Sequence, residues 1–346
     1  MLRLLPIASL CFWLALCQLS RAETLPSFHL SYSAWKATDV VVIDRQGHVL
    51  EVWKGDLKPQ NELPFAADRF KASLDVDYDR FFVAEKDRPK NRIERVTGDR
   101  LALFLVRDSD HKANERLGWK AASIANDLDT CAVWLEKGSS FAVQQWMNPG
   151  PSLMRPCQSE DLLKKEVVRI TEFQVALNSA AADPDPASRA KKIVPFLEEQ
   201  NYLGLDAALT VLKKCGKSGW TEVLPLLQDD KRLPLHSSLV HLAGKIAPVE
   251  ATPVIEAIII KEMKYWDGLT PDEKSVGSFN PPMHFHYSKL SACLFVLKRI
   301  GYKDKSGIIG QLRNSWEKTP VLMRLGAGGS GRSPILEYAD EILKSR

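Results

Sequence analysis

Asn148-Pro149-Gly150-Pro151 divides this chain into two kinds of sequence. Two prolines and a glycine in four residues suit neither a strand ladder nor a helix interior. Before this break the apolar residues gather in short β-branched runs. After it they recur at helical spacing. The fold class expected from this division is α+β and multidomain: a β-rich small barrel or sandwich over residues 23–156, then an α-helical repeat array over 157–346. A leader over residues 1–22 precedes both.

Working back from the break, Asp39-Val40-Val41-Val42-Ile43-Asp44 is a β-branched run. Arg45-Gln46-Gly47 follows as a turn, and His48-Val49-Leu50-Glu51-Val52-Trp53 alternates polar and apolar, so the three form a hairpin signal. Arg100-Leu101-Ala102-Leu103-Phe104-Leu105-Val106-Arg107 is apolar enough to be buried on both faces. Cys131-Ala132-Val133-Trp134-Leu135 and Phe141-Ala142-Val143-Gln144-Gln145-Trp146 flank Lys137-Gly138-Ser139 as a second hairpin. Four or five strands in this length fit a small barrel or sandwich. Residues 65–96 are charged and poorly periodic, a loop by this reading.

Working forward, Leu162, Leu163, Val167, Ile170, Phe173, Val175 and Leu177 give a helical spacing that Asp183-Pro184-Asp185-Pro186 stops. Further helices are expected near Ala187 and over 203–215, 221–228, 235–246, 252–266, 286–300, 306–317 and 334–344. Val211-Leu212-Lys213-Lys214-Cys215-Gly216 recurs as Val296-Leu297-Lys298-Arg299-Ile300-Gly301, with Val240-His241-Leu242-Ala243-Gly244-Lys245 at a comparable place between them. The offset between the outer copies is near twice the roughly 40–47 residues of a HEAT-type repeat. A lone helical hairpin cannot cover its own apolar face, whereas stacked hairpins share one core. The glycines are expected at left-handed helix caps.

The segment from Ala37-Thr38-Asp39-Val40-Val41-Val42 through Val52-Trp53-Lys54-Gly55-Asp56-Leu57-Lys58-Pro59 resembles the opening of uncharacterised exported bacterial proteins of the planctomycete kind, some of which carry HEAT-like repeats. Its strand, strand, Trp-Lys-Gly order is also similar to netrin-like OB barrels, including metalloproteinase inhibitors. The resemblance implies an OB-like fold for the first module and implies no activity. Those inhibitors place a cysteine at the mature N-terminus, which this chain lacks.

The leader has a short positive start at Arg3, an apolar run over 4–16, and Ser20-Arg21-Ala22, which predicts cleavage before Glu23. Removing Arg3 and Arg21 and no acid takes the net charge from +4 to about +2. That balance lacks the concentrated basic face of a nucleic-acid binder. Val254-Ile255-Glu256-Ala257-Ile258-Ile259-Ile260 is interrupted by Glu256 and predicts a buried helix, so no transmembrane span is expected after cleavage. Export to a periplasm or the medium permits disulfides. Cys131 and Cys157 are candidates to pair, while Cys215 and Cys293 lie on apolar helical faces where a thiol packs as a small hydrophobe.

Motifs for chemistry are few. Gly326-Ala327-Gly328-Gly329-Ser330-Gly331 matches GxGxxG but lacks the strand before it and the βαβ unit around it. Ser333 and Pro334 after it fit the cap and first position of a terminal helix. Cys215-Gly216-Lys217-Ser218 lacks the first glycine of a P-loop and reads as a helix cap and turn. His284 and His286 stand two apart after Pro281-Pro282-Met283, and in an extended loop both rings would face one side as metal ligands. Asp267, Asp272 or Glu273 would have to supply a third ligand. His236 and His241 are five apart, a poor match for one helical face. No residues are assigned to catalysis and no cofactor is expected. The function expected is that of an exported, non-enzymatic interaction protein binding another protein or an envelope component through its helical surface. The alternatives are a metal-dependent hydrolase using the His284/His286 loop and a netrin-like proteinase inhibitor.

Overall fold

The computed structural model describes residues 28–63, 100–107, 119–122, 132–136, 138–145, 152–199, 201–270, 281–318 and 333–345. The expected leader, the 65–96 loop and the glycine run at 326–331 lie outside them. The chain divides into two compact units, Met1–Val175 and Ala176–Arg346. The architecture is α+β, an open antiparallel sheet followed by helices.

In the first unit a short helix, α1 (Leu30–Lys36), leads into β1 (Asp39–Ile43) and β2 (Val49–Lys54). These pair antiparallel as the expected hairpin, with Val41 opposite Val52. β3 (Arg100–Arg107) lies on the other side of β1, with Val41 opposite Leu103. Five consecutive residues of each, Asp39 to Ile43 and Leu101 to Leu105, are buried, as a strand covered on both faces requires. β4 (Trp119–Ala121) and β5 (Ala132–Glu136) both pair with β3, and β6 (Ser139–Gln145) forms the second hairpin with β5.

The break at residue 148 does not end the sheet. β7 (Ser152–Ser159) pairs antiparallel with β6, Pro156 standing opposite Phe141, and extends the strands past the expected boundary at 156. It closes the path β2-β1-β3-β5-β6-β7 at the far edge, where proline is tolerated because one side of the strand needs no ladder partner.

The first long helix, α2 (Glu160–Ala181), also belongs largely to this unit and not to the helical array. Its Leu163, Val167 and Ile170 are buried in the same core as β1, β3 and β5. Glu160 at its start takes a bidentate ion pair from Arg100, at 2.7 and 2.6 Å, where an acid also suits the helix dipole. Arg107 does the same for Asp39 on β1, at 3.0 and 2.8 Å. The Lys54 ammonium donates to Ala34 O at 2.8 Å and Gln174 Oε1 at 2.6 Å, and burial lowers its pKa to about 8.

The second unit contains α3 (Pro186–Ile193), a 3₁₀ turn (Val194–Glu198), α4 (Tyr202–Lys214) and α5 (Lys217–Gln228). A second 3₁₀ turn (Asp230–Leu235) leads into α6 (His236–Ile246) and α7 (Pro248–Gly268). α8 (Pro281–Arg299), α9 (Ile308–Glu317) and α10 (Pro334–Lys344) complete it. Neighbours pack as pairs, α3 with α4, α5 with α6, α7 with α8 and α9 with α10. The pairs stack in two layers: α4, α6, α8 and α10 follow one another in one, while α3 packs on α5 and α7 on α9 in the other.

That pairing is out of step with the sequence repeat. The turns at Gly216 (φ 56°) and Gly301 (φ 69°) do carry the positive φ expected of helix caps. They connect α4 to α5 and α8 to α9, so they link successive pairs instead of closing one. Gly301 sits in a Schellman arrangement, with its own N–H bonded to Lys298 O and the Tyr302 N–H to Leu297 O. Gly244 is not a cap. It lies inside α6, where a side-chain carbon would overlap Cγ1 of Val296, and so it lets α6 and α8 approach closely. No helix among the described residues is long and apolar enough to cross a membrane.

Candidate functional site

The site grows from the connection between α5 and α6. Asp229 caps the 3₁₀ turn by accepting from the Lys231 N–H at 3.0 Å, which turns the chain back on α5. His236, the first residue of α6, is thereby folded inward and is 1 % exposed. Its Nε2 lies 3.1 Å from Leu226 O, in the last turn of α5, and 3.0 Å from Asp229 O, which also accepts from the Arg232 N–H of the 3₁₀ turn. Both are acceptors only, so Nε2 carries the hydrogen. Burial, then the Lys289 charge, lowers the pKa of this imidazole and keeps it neutral. Nδ1 is consequently a bare acceptor, buried and without a hydrogen-bond partner. An orphaned buried acceptor of this kind costs about 1–3 kcal/mol.

Beside it, α7 and α8 bring four polar side chains together. Glu262 and Tyr265 are three apart on α7, and His286 and Lys289 three apart on α8, so each pair shares a helix face. Glu262 is fully buried and Lys289 is 2 % exposed; the Lys289 Nζ meets Glu262 Oε1 at 2.6 Å. His286 Nδ1 lies 3.0 Å from Glu262 Oε2, and the His286 ring stacks on Tyr265 at 3.6 Å between centroids. Removing these charges from water is tolerable only because each finds its opposite at contact distance.

A cleft of about 390 Å³ opens between α5 and α7. Leu227, Pro253, Val254, Ala257 and Ile258 supply apolar walls, and His236 and Lys289 form polar ground within it. At the rim Lys261 pairs with Asp230 at 2.6 Å, which holds the Asp230 carboxyl below its usual range. The volume and the mix of apolar wall with a few convergent polar groups suit a ligand site. A wider hollow on the other side of the turn is lined by Glu198, Asp229 and Arg232, whose charges pair with one another.

The residues singled out from sequence are placed differently. His284 and His286 do not stand in an extended loop, because α8 already begins at Pro281. Two residues along a helix turn through about 200°, so the two imidazoles leave opposite sides. His286 points to Glu262, and no group of three His, Cys, Asp or Glu side chains that would hold a metal ion occurs among the described residues. Asp267 accepts from Ser315 instead, at 2.7 Å, and Asp272 and Glu273 lie outside the described residues. Cys131 also lies outside them; Cys157 stands in β7, and the side chains there are likewise not described. Cys215 and Cys293 are buried free thiols, and burial raises the pKa of both, which makes them unreactive. His241 packs edge-on against Phe295 at 5.3 Å. Ser333 and Pro334 take the cap and first positions of α10, but the Ser333 side chain makes no capping hydrogen bond; its Oγ accepts from Trp316 Nε1 at 3.3 Å.

Glu262 and Lys289 were not identified from sequence, although a signal existed. Ile255, Ile258, Ile259, Glu262 and Trp266 form one buried stripe of α7, so Glu262 is a charge at an apolar position. Lys289 stands four before the buried Cys293 on α8 and carries the opposite sign.

No protein-family model, no curated protein and no solved structure matches this chain.

Proposed function

We propose that this chain is an exported interaction protein, in which a β-rich, OB-like module precedes a HEAT-like array of paired helices that binds a protein or envelope component. The observation carrying this reading is the cleft between α5 and α7, with apolar walls and buried, incompletely satisfied polar groups. Stacked hairpins commonly bind along the surface that their regular layering exposes. The arrangement of α3 to α10 in two layers supports the comparison with HEAT repeats. The OB-like part of the reading needs β2 and β7 to come together and close the barrel; the paired path of the described strands leaves both at its ends. Export rests on the leader sequence, and the N-terminal residue of the mature protein is expected to be Glu23.

A photo-crosslinking residue placed at Ala257, which is exposed on the cleft wall, tests the binding surface. In cells of the source organism it is expected to give a discrete adduct. The same residue at the exposed Lys344, at the end of α10, is expected to give none. Equal labelling from both positions, or none from Ala257, overturns the reading.

A further inference from the structure

We propose that one edge of the helical unit docks on the surface of an anionic phospholipid bilayer, through lysines in three turns and the exposed Val249 in the middle one. This surface is separate from the cleft between α5 and α7 and does not rest on it.

The connections α4 to α5, α6 to α7 and α8 to α9 come together at this edge. α5 ends where α6 begins, with His236 against Leu226 O, and the two helices pack, so the start of α5 lies beside the end of α6. Near that end Gly244 lies against Val296 of α8, and the Arg299 guanidinium donates to Gly244 O at 3.2 Å, which brings the end of α8 to the same place. Packed helices stand about 8–10 Å apart, so the three turns form one short row.

The first turn carries Lys213, Lys214 and Lys217, the second Lys245, the third Lys303 and Lys305, and all six are exposed. Among the described residues none of these six ammonium groups is held in an ion pair. Lys298 and Arg299 add charge but are engaged, by Glu341 and by Gly244 O. The acids here are fewer. Asp304 is buried and accepts from the Ile309 and Gly310 amides, Glu256 accepts from Tyr302, and Glu250 is exposed. Lysines in the last turn of a helix suit its dipole, which accounts for Lys213, Lys214 and Lys245. It does not account for Lys217, at the positive start of α5, or for Lys303 and Lys305 between helices. At the other edge the α3–α4 and α5–α6 turns, joined by the Arg232–Glu198 pair, carry Glu198, Glu199, Asp229 and Asp230 against Lys231 and Arg232.

The apolar residue decides the occupant. Val249, in the first turn of α7, is 80 % exposed, beside the exposed Pro248. A soluble polyanion would satisfy the lysines and leave Val249 in water. A bilayer offers anionic headgroups to a row of cations and an apolar layer to the side chain among them. Each lysine held at such a surface adds about fivefold in affinity.

The test sediments the full mature chain, from Glu23, with vesicles of phosphatidylcholine alone or of phosphatidylcholine and phosphatidylglycerol in equal parts. It is expected to bind the second and not the first, and to be released as salt is raised. Lys303→Gln with Lys305→Gln is expected to weaken binding about twentyfold, and Val249→Ser about fivefold. Lys231→Gln, at the other edge, is expected to leave it unchanged. All these side chains are exposed, and an unchanged thermal midpoint checks that each variant is folded. Binding that does not need phosphatidylglycerol, an equal loss from Lys231→Gln, or no binding to either vesicle overturns the proposal. Unchanged vesicle binding by Val249→Ser overturns the lipid assignment, since a soluble polyanion would then serve equally. The vesicles carry no protein partner, so the outcome is independent of crosslinking from the cleft.

Discussion

Asp39 in the sheet unit and Glu262 in the helical unit are buried carboxylates paired with a cation, and the two pairs are stabilised by opposite means. Asp39 in the sheet unit is 1 % exposed, but its partner Arg107 is 44 % exposed and keeps much of its water. Glu262 in the helical unit is 1 % exposed, and its partner Lys289 only 2 %. In the first pair the cation bears little desolvation cost. In the second both ions are removed from water, and the offset must come from each other and from His286. The same ion pair is therefore a tolerant surface anchor in one unit and a dependent interior element in the other.

The largest consequence concerns Glu262. Glu262→Gln leaves the Lys289 charge buried without its counter-ion, so a loss of about 3–5 kcal/mol is expected. Urea unfolding read from α7 and α8 amides checks it, as a lower midpoint at unchanged slope. The double change Glu262→Leu with Lys289→Met is expected to recover most of this, because no charge is then stranded. A single-variant loss below about 1 kcal/mol would break the comparison, since it would mean that Lys289 had reached water. Next in size is Gly244→Ala, at about 1–3 kcal/mol, because the new methyl overlaps Val296 and overpacks the α6–α8 contact. Val296→Ala in the same chain is expected to return part of that loss, which a propensity effect on α6 alone would not permit.

The same contrast explains what the sequence revealed. β1, β2, β3 and β5 were legible because their β-branched and apolar runs are buried together, and β6 because it follows β5 through a glycine turn. β7 was not, because the Asn148–Pro151 break stands before it and an edge strand needs neither a continuous apolar run nor freedom from proline. The helices were legible from their spacing, although Lys217, Pro248 and Pro281 begin helices earlier than the apolar residues alone suggest. The repeat was legible as recurrence but not as pairing, since which helices pack is decided by faces and not by the glycine turns between them. In the site, His286 was singled out for a metal and instead serves a carboxylate 24 residues earlier in the chain. The exposed loop geometry assumed for it disappears once Pro281 starts the helix.

A third expectation sharpens the sheet-unit side. Lys54 has its pKa lowered from 10.5 to about 8 by burial, with the Asp39 charge opposing the shift. Below pH 8 the lysine is charged both folded and unfolded, and the folded state bears the whole cost of holding it. Between pH 8 and 10.5 the native state has released a proton that the unfolded chain still binds, so this group makes stability rise with pH. After discounting for partial solvent contact, the rise is about 1–2 kcal/mol. The difference in unfolding free energy between the natural chain and Lys54→Met, followed across that window, isolates it from other titrating groups. A difference that stays flat with pH contradicts the assignment.

The smallest effect is expected at Asp39 itself. Asp39→Asn removes a charge that accepts from Arg107 Nε and Nη2 and from Thr38 Oγ1 at 2.8 Å. The asparagine oxygen still accepts from Arg107, the released guanidinium turns to water, and the partly buried Lys54, which loses the Asp39 charge, sheds its proton more readily instead of standing unpaired. A loss of about 1 kcal/mol follows, several times smaller than that of Glu262→Gln. A loss equal to the Glu262 variant's would erase the distinction between the two pairs. A second readout makes the test independent of stability alone. Because Asp39 is the charge that holds the Lys54 pKa up, Asp39→Asn should move the onset of the Lys54 transition below pH 8. Glu262→Gln, acting in the other unit, should leave that onset where it is.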